Sequence, residues 1–276
     1  MLLFLAILKD MTQSIRARLL PFVLSIGVLS LHASDTPTAI VAGDKPLSSL
    51  PAETNAFRWA PEPEDGKVAF VTARLLERMQ FSHHRFDDTI SSEFLDRYLD
   101  SLDYQHLHFL QSDLDEFESY RTNLDHLTLN RTGTADTSPA FKIYSCFVER
   151  VRQRQAYAQD LLLHDDFKFD SDEKIAVNRH EMPYPKDLTE AKQLWRQRLR
   201  YEYLVEKLGL EQKDKAKSAD TNSADAKPAE GKSVRQQITE TLTHRYARVL
   251  RMYKDFNHED ILGIYLTALA HVYDPH

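Results

Sequence analysis

The chain has one cysteine, seven glycines and two tryptophans in 276 residues. The lone Cys146 cannot close an internal disulfide. Its neighbours Tyr144 and Phe147 make it a small buried hydrophobe rather than a reactive thiol. Phosphate-cradling loops, oxyanion turns and tight hairpins all draw on glycine, so its scarcity argues against nucleotide-binding and hairpin-rich β folds. Positive charge is also short: the formal net charge is −7. An acidic chain repels phosphate backbones, so nucleic acid is not an expected partner. Beyond the N-terminus, no stretch is apolar enough to span a bilayer.

Hydrophobic residues make up 42% of the chain and charged residues 28%, proportions of a globular helical protein rather than a disordered one. The N-terminus has the pattern of an export signal over residues 1–33. Arg16 and Arg18 follow Met11, an alternative start, and Leu19 to Leu31 is an apolar run of signal-peptide length. Ala33 offers the small residue for cleavage, and no cysteine lies nearby to take a lipid. An uncleaved anchor over residues 1–31 is the alternative reading. Either way the remainder is expected outside the cytoplasm, most simply in a bacterial periplasm.

Residues 34–65, rich in Pro, Ser, Thr, Asp and Glu, are expected to form a flexible leader. From Gly66 onward the period becomes helical. Val68, Val71, Leu75 and Met79 recur at steps of three and four, as do Ile90, Phe94, Tyr98 and Leu102, widened by Leu95 and Leu99. Asp88 or Thr89 is the expected cap of that second helix. A third helix starts at Ser112 with Asp115 three residues on, and buries Leu114, Phe117 and Leu124. A long helix follows from Pro139 to His164, with Phe141, Tyr144, Val148, Val151, Leu161 and Leu162 on its apolar stripe. Asp187 with Glu190 caps the next helix, which turns Leu188, Ala191, Trp195 and Leu199 to one side, with Leu204 and Leu208 continuing the stripe. Residues 211–232, almost free of large apolar groups, are expected to be a disordered insertion. A helix resumes near Ser233, and a last one begins at Asn257 and carries Ile261, Tyr265, Leu269 and Val272. No strand alternation is apparent, so the fold class is all-α: an irregular multi-helix array of about seven helices.

The chain is poor in catalytic patterns. It has no G-x-S-x-G elbow, and its lysines concentrate in the 211–232 stretch and on polar helix faces, where they stay protonated and cannot act as bases. His83-His84 and His106-x-His108, with Asp87, Asp88 and Asp103 nearby, invite a metal reading, but no H-E-x-x-H is present and a structural role for His106 and His108 is the simpler expectation. The carboxylates Asp113, Asp115, Glu116 and Glu118 fall in the first turns of a helix, where its dipole favours negative charge. Three arginine sets (150/152/154, 196/198/200 and 245/248/251) are the sharpest charge feature. They read as solvated faces paired with nearby glutamates, and alternatively as a grip on an acidic partner. No catalytic, cofactor-binding or metal-binding residue is therefore assigned from the sequence.

Three ordered stretches resemble one family. Phe94-Leu95-Asp96-Arg97-Tyr98-Leu99-Asp100-Ser101-Leu102-Asp103, leading into Phe109-Leu110-Gln111-Ser112-Asp113-Leu114, resembles the opening of the tail-specific (C-terminal processing) proteases. Arg179 to Asp187, containing Pro183-Tyr184-Pro185, followed by Leu194-Trp195-Arg196-Gln197-Arg198, is similar to the family's Pro-aromatic-Pro segment and W-R-x-R helix. Tyr265-Leu266-Thr267-Ala268-Leu269-Ala270, running into Asp274-Pro275-His276, is similar to the junction that leads towards its PDZ module. The likeness covers residues 66–276, and the order of the motifs is more specific than any one alone.

That resemblance implies a periplasmic serine endopeptidase with a Ser–Lys dyad, acting on unfolded proteins with apolar C-terminal tails. It implies a helical cradle around the substrate that in some members docks an adaptor protein. The family's catalytic Ser and Lys have no counterpart in this sequence. The chain is accordingly expected to be an inactive N-terminal part, cut off before the PDZ and catalytic domains, with a stand-alone periplasmic adaptor or protein-binding module as the alternative. Helices that pack on such absent parts would leave an apolar patch, expected along Ile261, Tyr265 and Leu269.

Overall fold

The computed structural model describes residues 59–80, 84–220 and 232–274, with backbone alone for 216–220. The export signal, residues 34–58 of the leader, His83, residues 221–231 and Pro275-His276 lie outside the described residues. The described residues form eight α-helices, in order α1 (Asp65–Met79), α2 (Asp88–Asp103), α3 (Gln111–Phe117), α4 (Leu124–Thr128), α5 (Ser138–His164), α6 (Leu188–Asp220), α7 (Val234–Lys254) and α8 (His258–Tyr273). Among the described residues there is no strand, in line with the all-α expectation.

Local signals explain most of the boundaries. Ser233 caps α7 and is answered by Gln236, and Asn257 caps α8 and is answered by Asp260, so each pair satisfies two otherwise orphan amides. Asp187 accepts from the amides of Thr189 and Glu190 as expected. Two starts differ from the sequence reading. Asp87, not Asp88 or Thr89, caps α2 by accepting from the amides of Thr89 and Ile90. The third helix begins at Gln111 and is broken after Phe117 by a 3-10 turn (Glu118–Tyr120), so that Leu124 belongs to a separate helix. Helix α6 also runs to Asp220, ten residues into the stretch expected to be disordered. Its Lys, Glu, Ala and Gln residues are good helix formers that need no core to stay helical once the helix is nucleated.

Helix α5, 27 residues and therefore about 40 Å long, joins two apolar cores. Its first half packs against α2 and α8, and α1 and α4 complete the same core around Phe94, Tyr98, Phe109, Tyr144, Phe147 and Tyr265. Its last turns pack with α6 and α7 around Leu162, Phe167, Leu199, Ile238 and Leu242. Helix α8 is buried along its length, so the patch expected at Ile261, Tyr265 and Leu269 does not exist: they are 0%, 2% and 0% exposed. They fill the groove between α1, α2 and α5.

Helix α1 shows the opposite error. Its small residues Gly66, Ala69 and Ala73 face the core, while Val68, Val71 and Met79 of the expected stripe point outward. Close approach rather than bulk decides the face. At Gly66, a Cβ would come within 2.5 Å of the Ala135 carbonyl oxygen, and the Ala135 amide donates to the Gly66 carbonyl at 2.9 Å. The end of the leader is also held in place: the Trp59 indole donates to the Phe256 carbonyl at 2.7 Å and meets Tyr144 edge-on.

Because the atom facing Gly66 is backbone, Gly66→Ala is expected to destabilise the chain by about 1–3 kcal/mol. The check is a lowered urea midpoint with an unchanged slope.

Candidate functional site

A polar network forms at the turn between α2 and α3 and the segment that covers it. Asp103, 2% exposed, ends α2. Its carboxylate accepts from the amides of Leu107 (2.9 Å), His108 (2.8 Å) and Phe109 (3.0 Å), and faces His108 Nδ1 at 3.0 Å. Burial opposes its charge, but the His108 ring and the convergent amides outweigh burial and hold the carboxyl below its ordinary range.

The network continues inward. Arg154 Nη1 approaches His108 Nε2 at 3.2 Å. A guanidinium has only donors, so Nε2 accepts and the ring proton sits on Nδ1, towards Asp103. Arg154 Nη2 donates to the Tyr246 hydroxyl at 3.3 Å and lies 3.9 Å from Glu202. This chain of contacts ties α2, α5, α6 and α7 together.

Residues 165–187, between α5 and α6, carry no regular structure and fold back as a strap over the same turn. The Pro185 carbonyl accepts from the Gln111 amide at 2.8 Å, and Arg179 N donates to Gln105 Oε1 at 3.0 Å. The Trp195 indole donates to the Leu107 carbonyl at 2.5 Å. His106, at φ 49°, stacks on Tyr184 with ring centres 3.8 Å apart, and His180 stacks on Tyr104 at 4.1 Å.

The sequence placed its metal candidates differently. His108 is bound into the Asp103 network, and His84, Asp87 and Asp88 are not gathered with it. The structure instead brings together Asp100, His106 and His180, whose ligand atoms lie within 4.8 Å of one another. His180 was missed because it stands 80 residues from Asp100 in the chain. The only sequence signal for it was the Arg179-to-Asp187 segment itself.

The arginine sets are mostly absorbed by structure. Arg150 makes a two-pronged pair with buried Asp113 (2.9 and 2.7 Å), Arg152 pairs with Glu149, Arg196 with Asp165, Arg198 with Glu202, Arg200 with Glu173 and Arg245 with Glu206. Arg248 and Arg251 remain exposed. At the half-buried Cys146, burial, reinforced by Asp113, pushes the thiol up to about 12, which disfavours the thiolate. A cleft of about 150 Å³ between the strap (Phe169, Ile175) and α6 (Tyr201, Leu204) is smaller than ordinary small-molecule sites. The arrangement braces the α2–α3 turn against α5, α6, α7 and the strap.

The family described as "Tail specific protease N-terminal domain" matches residues 72–276. A tail-specific protease of Haemophilus influenzae is 33% identical over 217 residues. The match covers 77% of this chain and 27% of that relative, so the chain spans about a quarter of the relative's length.

Asp103→Asn is expected to cost about 2 kcal/mol at neutral pH, since Asn cannot supply the charge that its four donors address. The folded carboxyl titrates below the unfolded one, so its contribution is full above about pH 5 and is lost as pH falls through the folded pKa. Urea melts of both proteins from pH 7 to pH 3 are expected to show their stability difference shrinking below about pH 4.

Proposed function

Since the chain belongs to the tail-specific protease N-terminal domain family, we propose that it is the non-catalytic helical part of a periplasmic C-terminal processing serine endopeptidase. In the intact protease it helps enclose unfolded protein substrates and presents their apolar C-terminal tails to a Ser–Lys centre carried elsewhere. An export signal at residues 1–33 suits that location, and no described helix is long and apolar enough to cross a membrane.

The observation that carries this reading is where the family-like residues lie. Phe94, Leu95, Tyr98 and Leu99, then Phe109 and Leu110, then Trp195, and finally Tyr265, Leu266 and Leu269 are all buried. Asp103 and Asp113, the two most conspicuous carboxylates of the motifs, each cap a turn from inside. In this chain the motif residues therefore serve packing and turn geometry, which supports reading it as a scaffold.

The test is cleavage of an unfolded reporter with an apolar C-terminal tail by the purified chain, with circular dichroism on the same sample. The expected result is a helical spectrum and no cleavage. Cleavage that persists through stringent purification and tracks the chain's elution would overturn the reading.

A further inference from the structure

We propose that Asp100, His106 and His180 form a zinc-class metal site that clamps the strap onto the α2–α3 turn. The orientation of the two imidazoles supports it. His106 Nδ1 lies 2.5 Å from the Met182 carbonyl oxygen, and His180 Nδ1 lies 3.3 Å from the Tyr104 carbonyl oxygen. A carbonyl oxygen only accepts, so both rings carry their proton on Nδ1 and keep the Nε2 lone pair. Metal-ligating histidines are oriented in the same way: one nitrogen donates to a carbonyl or carboxylate and the other is presented to the ion. The stacking of His106 on Tyr184 and of His180 on Tyr104 holds both rings in that orientation before any ion arrives.

The spacing also fits. His106 Nε2 stands 3.8 Å from Asp100 Oδ1, too far for a hydrogen bond. Two ligands on one tetrahedral zinc are about 3.4 Å apart, so this pair needs to close by only a few tenths of an ångström, while His180, within 4.8 Å of both, has farther to move. The neighbouring Glu181, 3.8 Å from His180 Nε2, stands outside the three-residue cluster, so water would complete the coordination. Two imidazoles with one carboxylate suit zinc among the common divalent ions and disfavour calcium and magnesium, which take oxygen ligands. The side chains of His106, His180 and Asp100 are 13%, 29% and 35% exposed, so the ion can enter from solvent and still bind at a partly desolvated position.

The clamp would act on architecture. Asp100 lies in the last turn of α2, His106 in the α2–α3 turn and His180 in the strap, so an ion shared by the three links segments far apart in the chain. The link would add to the Pro185–Gln111 and Arg179–Gln105 contacts.

The test uses the full, untagged chain, stripped with EDTA and titrated with Co²⁺ and with Zn²⁺. The expected result is one equivalent of Co²⁺ giving the visible absorption of a tetrahedral site, displaced by Zn²⁺. Saturating Zn²⁺ is also expected to raise the melting midpoint by about 5 °C. His180→Ala and Asp100→Asn should lose the Co²⁺ spectrum and weaken Zn²⁺ binding by at least about a hundredfold, with helical circular dichroism retained. His164→Ala, which alters an exposed histidine outside the cluster, should bind as the parent does. A chain that binds neither ion saturably, or one whose His180→Ala and Asp100→Asn variants bind like the parent, would overturn the proposal. Either outcome leaves the reading of the chain as a protease scaffold untouched.

Discussion

Asp103 is a buried charge held in place by three amides and an imidazole, and those four donors decide where the chain goes after α2. An unpaired carboxylate at that depth would be very costly. With its donors in place, it bends residues 104–109 into a tight turn that directs Phe109 into the larger core and leaves the Leu107 carbonyl free for the Trp195 indole. The same turn puts His106 in the left-handed region and aims His108 at Arg154. The register of α3, the position of α6 and the bed of the strap all depend on this one carboxylate.

Around that turn the molecule divides its work between apolar filling and polar bracing. Burying a large aromatic or aliphatic side chain contributes roughly 1.5–3 kcal/mol, and α8 and the first half of α5 supply many of them. Apolar packing alone is non-directional and would tolerate sliding of α5 along its neighbours. The bracing contacts are directional: Arg150 on Asp113, Arg154 between His108 and Tyr246, and Tyr144 donating to the Tyr253 carbonyl at 2.7 Å. Such a combination fixes the register that apolar packing alone leaves open.

Much of the fold was legible in the sequence because its signals are short-ranged. The stripes of α2, α5 and the first half of α6 repeat at helical spacing, and the caps at Asp187, Ser233 and Asn257 act on amides two or three residues away. The reading went wrong where a helix meets two environments at once. In α1 the larger residues Val68, Val71 and Met79 suggested the core face. The Ala135 backbone and the Thr134 side chain come so close that only glycine fits at 66, and the small Ala69 and Ala73 continue that buried face. In α8 the stripe was correctly found, but its cover, by α1, α2 and α5, could not be seen from the sequence.

The sequence by itself determined the class of the protein: helical, acidic, nearly free of glycine turns, and marked by three motifs whose order points to one family. These properties are carried by periodicity, composition and local capping, which need no partner from elsewhere in the chain. Only the tertiary structure decided which carboxylate would be buried, which arginines would be consumed by internal pairs, and which histidines would meet. His106 and His180 lie 74 residues apart, and their closeness follows from a strap without regular structure folding back over the α2–α3 turn. A segment without period gives no directional signal of its own. Its path is set by the amides, carbonyls and aromatic faces it finds on the helices already packed beneath it.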